Sequence, residues 1–108
     1  ASDQISIRVS DVGEIDGIMA SLRAHPPSAI GETAVTRIDD LLSGVDDLPP
    51  GDVLRLWLDG GSRLIVRPSG TEPKLKLYLD VRGSSAKKAR RRLEALRAGA
   101  EEMLAAVR

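Results

Sequence analysis

The sequence predicts an α+β fold of two layers, with two helices on one face of a mainly antiparallel sheet of four to five strands. Several short segments alternate apolar and polar residues, which is typical of strands buried on one face only. Two longer segments carry apolar residues at helical spacing, so each helix needs an apolar surface to cover. The predicted order is β-α-β-β-β-β-α, and one sheet with an aliphatic face supplies that surface for both helices.

The first strand and the first helix occupy the N-terminal quarter of the chain. Alternating apolar residues predict the strand, and they are Ile5, Ile7 and Val9. Asp11 precedes Glu14 by three positions, a spacing typical of a capping box, so a helix is expected over residues 12–24. The sequence His-Pro-Pro ends this helix. His25 is the only histidine, and its place in a proline-rich helix exit indicates a structural role.

The middle of the chain contains one weaker strand and one long loop. Residues 32–38 are rich in β-branched side chains, which favours extended structure. Residues 39–52 contain two glycines and two prolines, so we expect a loop with at most a short helical turn near residues 40–42.

Three further strands and a long helix complete the fold. Strands are predicted over residues 53–58, 63–67 and 75–81, and a tight Asp-Gly-Gly-Ser turn joins the first two. Ser84 or Ser85 is suited to cap the last helix. Its expected apolar stripe consists of Ala86, Ala89, Leu93, Leu96, Ala100, Met103, Leu104 and Val107.

The alternation assigns each sheet residue to one of two faces. The face under the helices is expected to contain Leu54, Leu56, Leu58, Leu64, Val66, Leu75, Leu77 and Leu79. The open face is expected to contain Arg55, Trp57, Arg63, Ile65, Arg67, Lys74, Lys76 and Tyr78. This open face is basic, and it is either solvated or turned toward another surface.

Composition limits the classes of function. The 108 residues fit one domain and contain 16 basic and 16 acidic side chains, so no global field attracts the protein to nucleic acid or to an anionic membrane. Cysteine is absent, which excludes disulfides and thiolate metal sites and fits a reducing compartment. The chain begins with Ala1 rather than Met, as expected for a fragment, a processed product or a chain that has lost its initiator Met.

The loop between the last two strands reads Arg-Pro-Ser-Gly-Thr-Glu-Pro-Lys over residues 67–74. Arg67 offers a planar fork that matches two phosphate oxygens. Ser69 and Thr71 each bring a hydroxyl and a backbone N–H. Gly70 permits a positive φ or the close approach of an anion to the main chain. From physics alone, an anion cradle and a plain connecting loop remain equally open.

The other loop residues are interpreted as support. Pro68 and Pro73 stiffen the entry and exit, while Lys74 and Lys76 add positive charge. Glu72 is either a general acid or a clamp for Arg67 or a nearby N–H, and the structural role is favoured because no second carboxylate adjoins it in sequence. No catalytic residue and no metal ligand is assigned.

The run GSRLIVRPSGTEPKLKLYLD, residues 61–80, resembles the C-terminal phosphate-binding segment of the α-D-phosphohexomutases, the superfamily of phosphomannomutases and phosphoglucomutases. The likeness extends to the helix with IMASLRAHPP, a strand near Val35 and the closing helix, and so covers most of the chain. It implies a fold like one half of the TATA-binding protein. It also implies phosphate contacts from Arg67, Ser69, Gly70 and Thr71, with Lys76 as a further ligand.

The resemblance further implies that residues 1–108 are one of four domains in a cytoplasmic enzyme. The enzyme would move phosphate between C1 and C6 of mannose or glucose phosphates, using a phosphoserine and Mg²⁺ held by its other domains. This domain alone would then hold no cofactor and would be inactive. The residues after Pro73 look closer to mannomutases and glucomutases than to glucosamine mutases.

An alternative is a nucleic-acid-binding module that uses the basic open face. Trp57 and Tyr78 lie on that face and are of the type that stacks on bases. A cluster of cations in the last helix would add charge, namely Lys87, Lys88, Arg90, Arg91 and Arg92. The zero net charge and the lack of paired aromatics within one strand favour the phosphohexomutase reading, in which neither nucleic acid nor membrane is a partner. The cation cluster is interpreted as a solvated helix face, and Trp57 as half-buried or at a domain boundary.

Overall fold

In a computed structural model the chain is described over residues 1–44 and 50–107, and within these ranges six strands form one antiparallel sheet. The strands are β1 (Ser2–Arg8), β2 (Ala29–Ile30), β3 (Thr33–Asp40), β4 (Leu54–Leu58), β5 (Arg63–Pro68) and β6 (Lys74–Asp80). The helices are α1 (Val12–Ala24) and α2 (Ala86–Val107), and a short 3₁₀ turn spans Leu41–Ser43. The strand order is β1-β6-β5-β4-β3-β2, so the first strand pairs with the last.

Helix α1 begins and ends where the sequence predicts. The Asp11 carboxylate accepts from the Glu14 N–H at 3.0 Å, and the His25 N–H donates to the Ser21 carbonyl at 2.8 Å. The Glu14 carboxylate also accepts from the Ser10 hydroxyl at 3.1 Å, just before the helix. The buried face of the helix consists of Ile15, Ile18, Met19 and Leu22.

The aliphatic core lies between the two helices and one face of the sheet, as predicted. The eight leucine and valine residues assigned to that face in β4, β5 and β6 are all buried. Ile5 and Val9 extend the core beneath β1, while Ile7 is partly buried. The two-layer α+β prediction is therefore confirmed.

The sheet has more strands than predicted, and β2 accounts for the difference. This strand is only two residues long, too short to show a period of two. Gly31 has φ +60° and turns the chain into β3, where the Val35 N–H donates to the Ser28 carbonyl. β3 also continues to Asp40, two residues into the predicted loop. The part of that loop at residues 45–49 lies outside the described residues.

Helix α2 covers the sheet with a slightly different stripe from the one predicted. Lys88 N–H donates to the Ser85 hydroxyl, so Ser85 caps the first turn. Ala86 is exposed at the first helical position, whereas Gly99, which was not predicted, is buried. A Cβ on Gly99 would lie 2.5 Å from the backbone N of Gly31, because helix and turn touch there. The remaining stripe residues are buried or partly buried, namely Ala89, Leu93, Leu96, Ala100, Met103, Leu104 and Val107.

Within the described ranges, neither helix combines the length and the apolar character needed to cross a membrane.

Candidate functional site

The loop between β5 and β6 lies beside a cavity of about 680 Å³. Three other segments contribute to its walls: the first two turns of α1, residue 41 and residues 50–53. The lining residues from the loop are Arg67, Pro68, Ser69, Gly70, Thr71 and Glu72. The fold thus gathers most of the predicted site residues around one open space, while Pro73, Lys74 and Lys76 are not among its described lining residues.

Three backbone hydrogen bonds fix the shape of the loop. Ser69 N–H donates to the Lys74 carbonyl at 2.8 Å, and Lys74 N–H donates to the Glu72 carbonyl at 2.7 Å. The Pro73 carbonyl accepts from the Val9 N–H at 2.9 Å, which fastens the loop to the end of the first strand. The Ser69 N–H is therefore engaged within the loop, and of the groups that Ser69 brings only its hydroxyl is left for an anion.

The tip of the loop presents donors that have no acceptor. In the described parts of the chain, the backbone N–H groups of Gly70, Thr71 and Glu72 make no hydrogen bond, and neither do the hydroxyls of Ser69 and Thr71. Gly70 and Thr71 are exposed, so these donors are open to solvent and to a ligand. Adjacent unpaired N–H groups are the feature by which a turn binds an anion.

Backbone conformation does not explain the glycine at position 70. Gly70 is absent from the glycines with positive φ, so an L-residue can adopt its backbone conformation. A Cβ built on Gly70 would meet nothing within 4 Å in the described protein. Of the two roles expected of this glycine, a positive φ is therefore wrong, and the close approach of an anion stays a prediction.

The strand ends beside the loop carry uncompensated positive charge. Arg67 on β5 lies directly opposite Lys76 on β6, and Lys74 lies opposite Arg8 on β1. Three of these cations have no ion-pair partner among the residues that the structure describes, namely Arg67, Lys74 and Lys76. Like charges opposed across a ladder are unfavourable, so this arrangement favours the binding of an anion.

Glu72 has a different partner from the one expected. Its Oε2 lies 3.1 Å from an Arg8 guanidinium nitrogen, and both side chains are more than half exposed, at 51% and 65%. The hypothesis that Glu72 clamps Arg67 is therefore wrong, since the cation comes from β1. A structural role for Glu72 within the loop is retained as a prediction.

A second charged cluster surrounds Trp57 on the open face. Asp39 accepts from the Trp57 indole N–H at 2.9 Å and from Arg55 at 2.8 Å. The indole hydrogen bond, together with those from Arg55 and the charges of Arg55 and Arg37, outweighs desolvation and holds the pKa of Asp39 below its usual value. Guanidinium carbons of Arg37, Arg55 and Arg63 lie 5.1, 5.2 and 5.9 Å from the Trp57 ring centroid. Trp57 is half-buried, as predicted.

Sequence reasoning missed Arg8, Asp16 and residues 50–53 at this site. Arg8 lies 64 positions from Glu72, and only the pairing of β1 with β6 brings the two together. Val12 also lines the cavity, and it is 56% exposed although it is a large apolar residue at the start of a helix. Its apolar type at that position was the only hint in the sequence that the start of α1 borders the site, and the hint is weak.

No cluster of three or more His, Cys, Asp or Glu side chains able to hold a metal ion occurs in the described residues. What the loop offers chemically is donors and positive charge.

Comparison with known proteins gives the family. Residues 7–98 match the model of the phosphoglucomutase/phosphomannomutase C-terminal domain. A probable phosphomannomutase of Haemophilus influenzae is 44% identical over 103 residues, which are 95% of this chain and 21% of that protein. A phosphoglucomutase of Staphylococcus aureus strain MRSA252 is 36% identical over 80 residues, covering 64% of this chain and 14% of that protein. The chain thus spans about a fifth or less of these relatives. It belongs to the family of phosphoglucomutase/phosphomannomutase C-terminal domains.

Proposed function

We propose that the loop at residues 67–74 binds the phosphate group of a hexose phosphate, on behalf of a larger phosphohexomutase of which this chain is the C-terminal domain. One observation carries the proposal. Unpaired backbone N–H groups, two unpaired hydroxyls and an unpaired guanidinium border the same cavity in the described structure. A phosphate dianion accepts from such donors and neutralises the adjacent cations.

The role of the loop in the reaction is positioning. Phosphoryl transfer depends on alignment and charge stabilisation, and a phosphate that does not react must be held while the other end of the sugar reacts. Arg67 and the amides of Gly70 and Thr71 would hold that phosphate, with the Ser69 and Thr71 hydroxyls and Lys76 assisting. Pro68, Pro73 and Lys74 would support the loop.

The chemical step would belong to other domains of the parent enzyme. A phosphoserine and Mg²⁺ would supply it there, and this chain would hold neither. The parent enzyme is expected to be cytoplasmic. We expect the isolated chain to lack mutase activity when it is assayed under cytoplasm-like buffer conditions. We also expect it to bind phosphosugars weakly, since an open cradle lacks the contacts of the complete active site. The names of the relatives indicate mannose and glucose phosphates as the substrates to test.

The arrangement around Trp57 counts against the nucleic-acid alternative. Three guanidinium groups adjoin its ring and its N–H is bonded to Asp39, so a base would have to displace these contacts in order to stack. At the tip of the loop, in contrast, the N–H groups of Gly70 and Thr71 have no partner in the described structure that an anion would have to displace.

Isothermal titration calorimetry on the 108-residue chain tests the proposal. Glucose 1-phosphate and mannose 1-phosphate should bind, free glucose should not, and excess inorganic phosphate should compete. A short single-stranded RNA serves as the alternative ligand. Binding of RNA but not of any phosphosugar would overturn the proposal in favour of the nucleic-acid module.

A further inference from the structure

We propose that Arg8, which lies outside the loop, is a positioning residue of the phosphate site: it holds the Glu72 carboxylate so that this carboxylate does not repel the bound anion. The inference rests on the proposed function and adds to it a residue from a distant strand. The ligand of the site is a phosphate group, whether it is free or attached to a sugar.

Glu72 needs such a restraint because of where it lies. It is the sole acid in residues 67–74, it lines the cavity, and it directly follows Thr71, whose N–H is unpaired in the described structure. A free carboxylate here would lie well within a Debye length of a phosphate at the loop tip, and the two negative charges would repel each other.

Arg8 is placed to provide that restraint from a rigid element. It ends β1 at the position opposite Lys74, and the adjacent Val9 N–H bonds the Pro73 carbonyl. The loop is thus fastened to β1 twice, once through its backbone and once through the 3.1 Å contact between Arg8 and Glu72.

The exposure of the ion pair separates its effect on binding from its effect on stability. Both side chains are more than half exposed, and such pairs contribute little to folding. Removing Arg8 should therefore leave the thermal unfolding midpoint nearly unchanged. A loss of phosphate affinity would then reflect the position and charge of Glu72 and not damage to the fold.

Asp16 provides a matched control for Glu72. It also lines the cavity, but among the described residues its side chain has no hydrogen-bond or ion-pair partner. Arg63 provides a control for loss of a cation, because it lies on the same sheet face, paired with Asp80 at 3.5 Å, four residues before Arg67.

A double-mutant cycle tests the inference, with inorganic phosphate titrated into the 108-residue chain and the amide signals of the loop followed by NMR. Arg8→Gln should raise the Kd about three- to fivefold, the upper range for one exposed ion pair. In the Glu72→Gln background the same substitution should change the Kd less than about twofold, because no carboxylate remains to be held. Arg8→Lys should restore part of the loss. Arg63→Gln should leave the Kd unchanged, and Asp16→Asn should not abolish the effect of Arg8→Gln.

The outcomes distinguish this inference from the proposed function. An equal loss in both Glu72 backgrounds would mean that Arg8 acts through its charge alone, and the inference would be wrong. No loss on Arg8→Gln would also refute it, while the phosphate site would stand. A lack of any response at the loop in the unsubstituted chain would overturn the proposed function and this inference together.

Discussion

Replacing Arg67 with glutamine should weaken phosphate binding while leaving the fold as stable as before or slightly more stable. Arg67 faces Lys76 across β5 and β6, and the described structure gives neither a counter-ion. Like charges in directly opposed positions destabilise a sheet by up to about 1 kcal/mol. Arg67 is exposed and Lys76 half-buried, so screening reduces the expected gain on removing one charge to roughly 0.2–0.5 kcal/mol.

The effect on affinity should be larger and of opposite sign. A guanidinium fork donates two hydrogen bonds to a phosphate, and bonds to charged groups contribute about 1.5–3 kcal/mol when protected from water. At this open site we take the lower end, so Arg67→Gln should raise the Kd for phosphate about tenfold.

Arg63→Gln is the matched control, since the same chemical change is made four residues earlier on the same strand. Arg63 has a counter-ion in Asp80 and adjoins Trp57. Its loss should cost about 0.2–1 kcal/mol of folding free energy and leave phosphate affinity unchanged. The two substitutions therefore have different effects on both measured quantities.

Urea unfolding followed by the fluorescence of the single tryptophan gives the stability, and phosphate titration by calorimetry gives the affinity. The reasoning is refuted if Arg67→Gln destabilises the fold by more than about 1 kcal/mol, which would indicate a structural role for Arg67. An unchanged phosphate affinity would remove Arg67 from the site.

Further substitutions test the remaining parts of the account. Gly70→Ala should leave stability within about 0.5 kcal/mol, since its Cβ meets nothing, yet reduce phosphate affinity by blocking close approach; unchanged affinity would contradict the role given to Gly70. Gly99→Ala should destabilise the fold by about 1–3 kcal/mol, because its Cβ would overlap the turn before β3. Gly17→Ala is the control: its Cβ would lie in open space on α1, so this substitution should stabilise the fold by up to about 1 kcal/mol. Equal effects of the two substitutions in thermal melts would refute this packing. Trp57→Phe should raise the pKa of Asp39 in a carboxyl NMR titration, because the indole hydrogen bond is the largest cause of its lowering. A carboxyl whose folded pKa is lowered stabilises the fold above its unfolded pKa and loses that contribution as pH falls through the folded pKa, so the acid-induced loss of stability should shrink in Trp57→Phe; an unchanged titration of Asp39 would contradict this.

Local patterns in the sequence were sufficient for the main elements of the fold. The alternating leucines of β4 and β6 and the spacing of Ile15, Ile18 and Leu22 in α1 each report burial within a few neighbouring positions. Features that depend on contacts between distant segments were missed. The two-residue strand β2 is defined only by its pairing with β3, and the burial of Gly99 arises from the contact of α2 with the turn at Gly31.

The same distinction applies to the candidate site. The residue types in the loop are compatible with an anion cradle, but they left a plain connecting loop equally open, and the phosphate role was predicted from the resemblance to the phosphohexomutases. The internal use of the Ser69 N–H and the pairing of Glu72 with Arg8 depend on loop closure and on β1 lying beside β6. No sequence pattern specifies that strand order, so these two details could not be derived before the structure.

The central claim is that the tip of the β5–β6 loop binds a phosphate through its backbone, and amide NMR shifts during a phosphate titration test it most directly. The account predicts saturable shifts that are largest at Gly70 and Thr71, with sulfate competing and Arg67→Gln weakening the response. Shifts that do not saturate, or that are largest around Trp57 and Tyr78 with the loop amides unmoved, would contradict it.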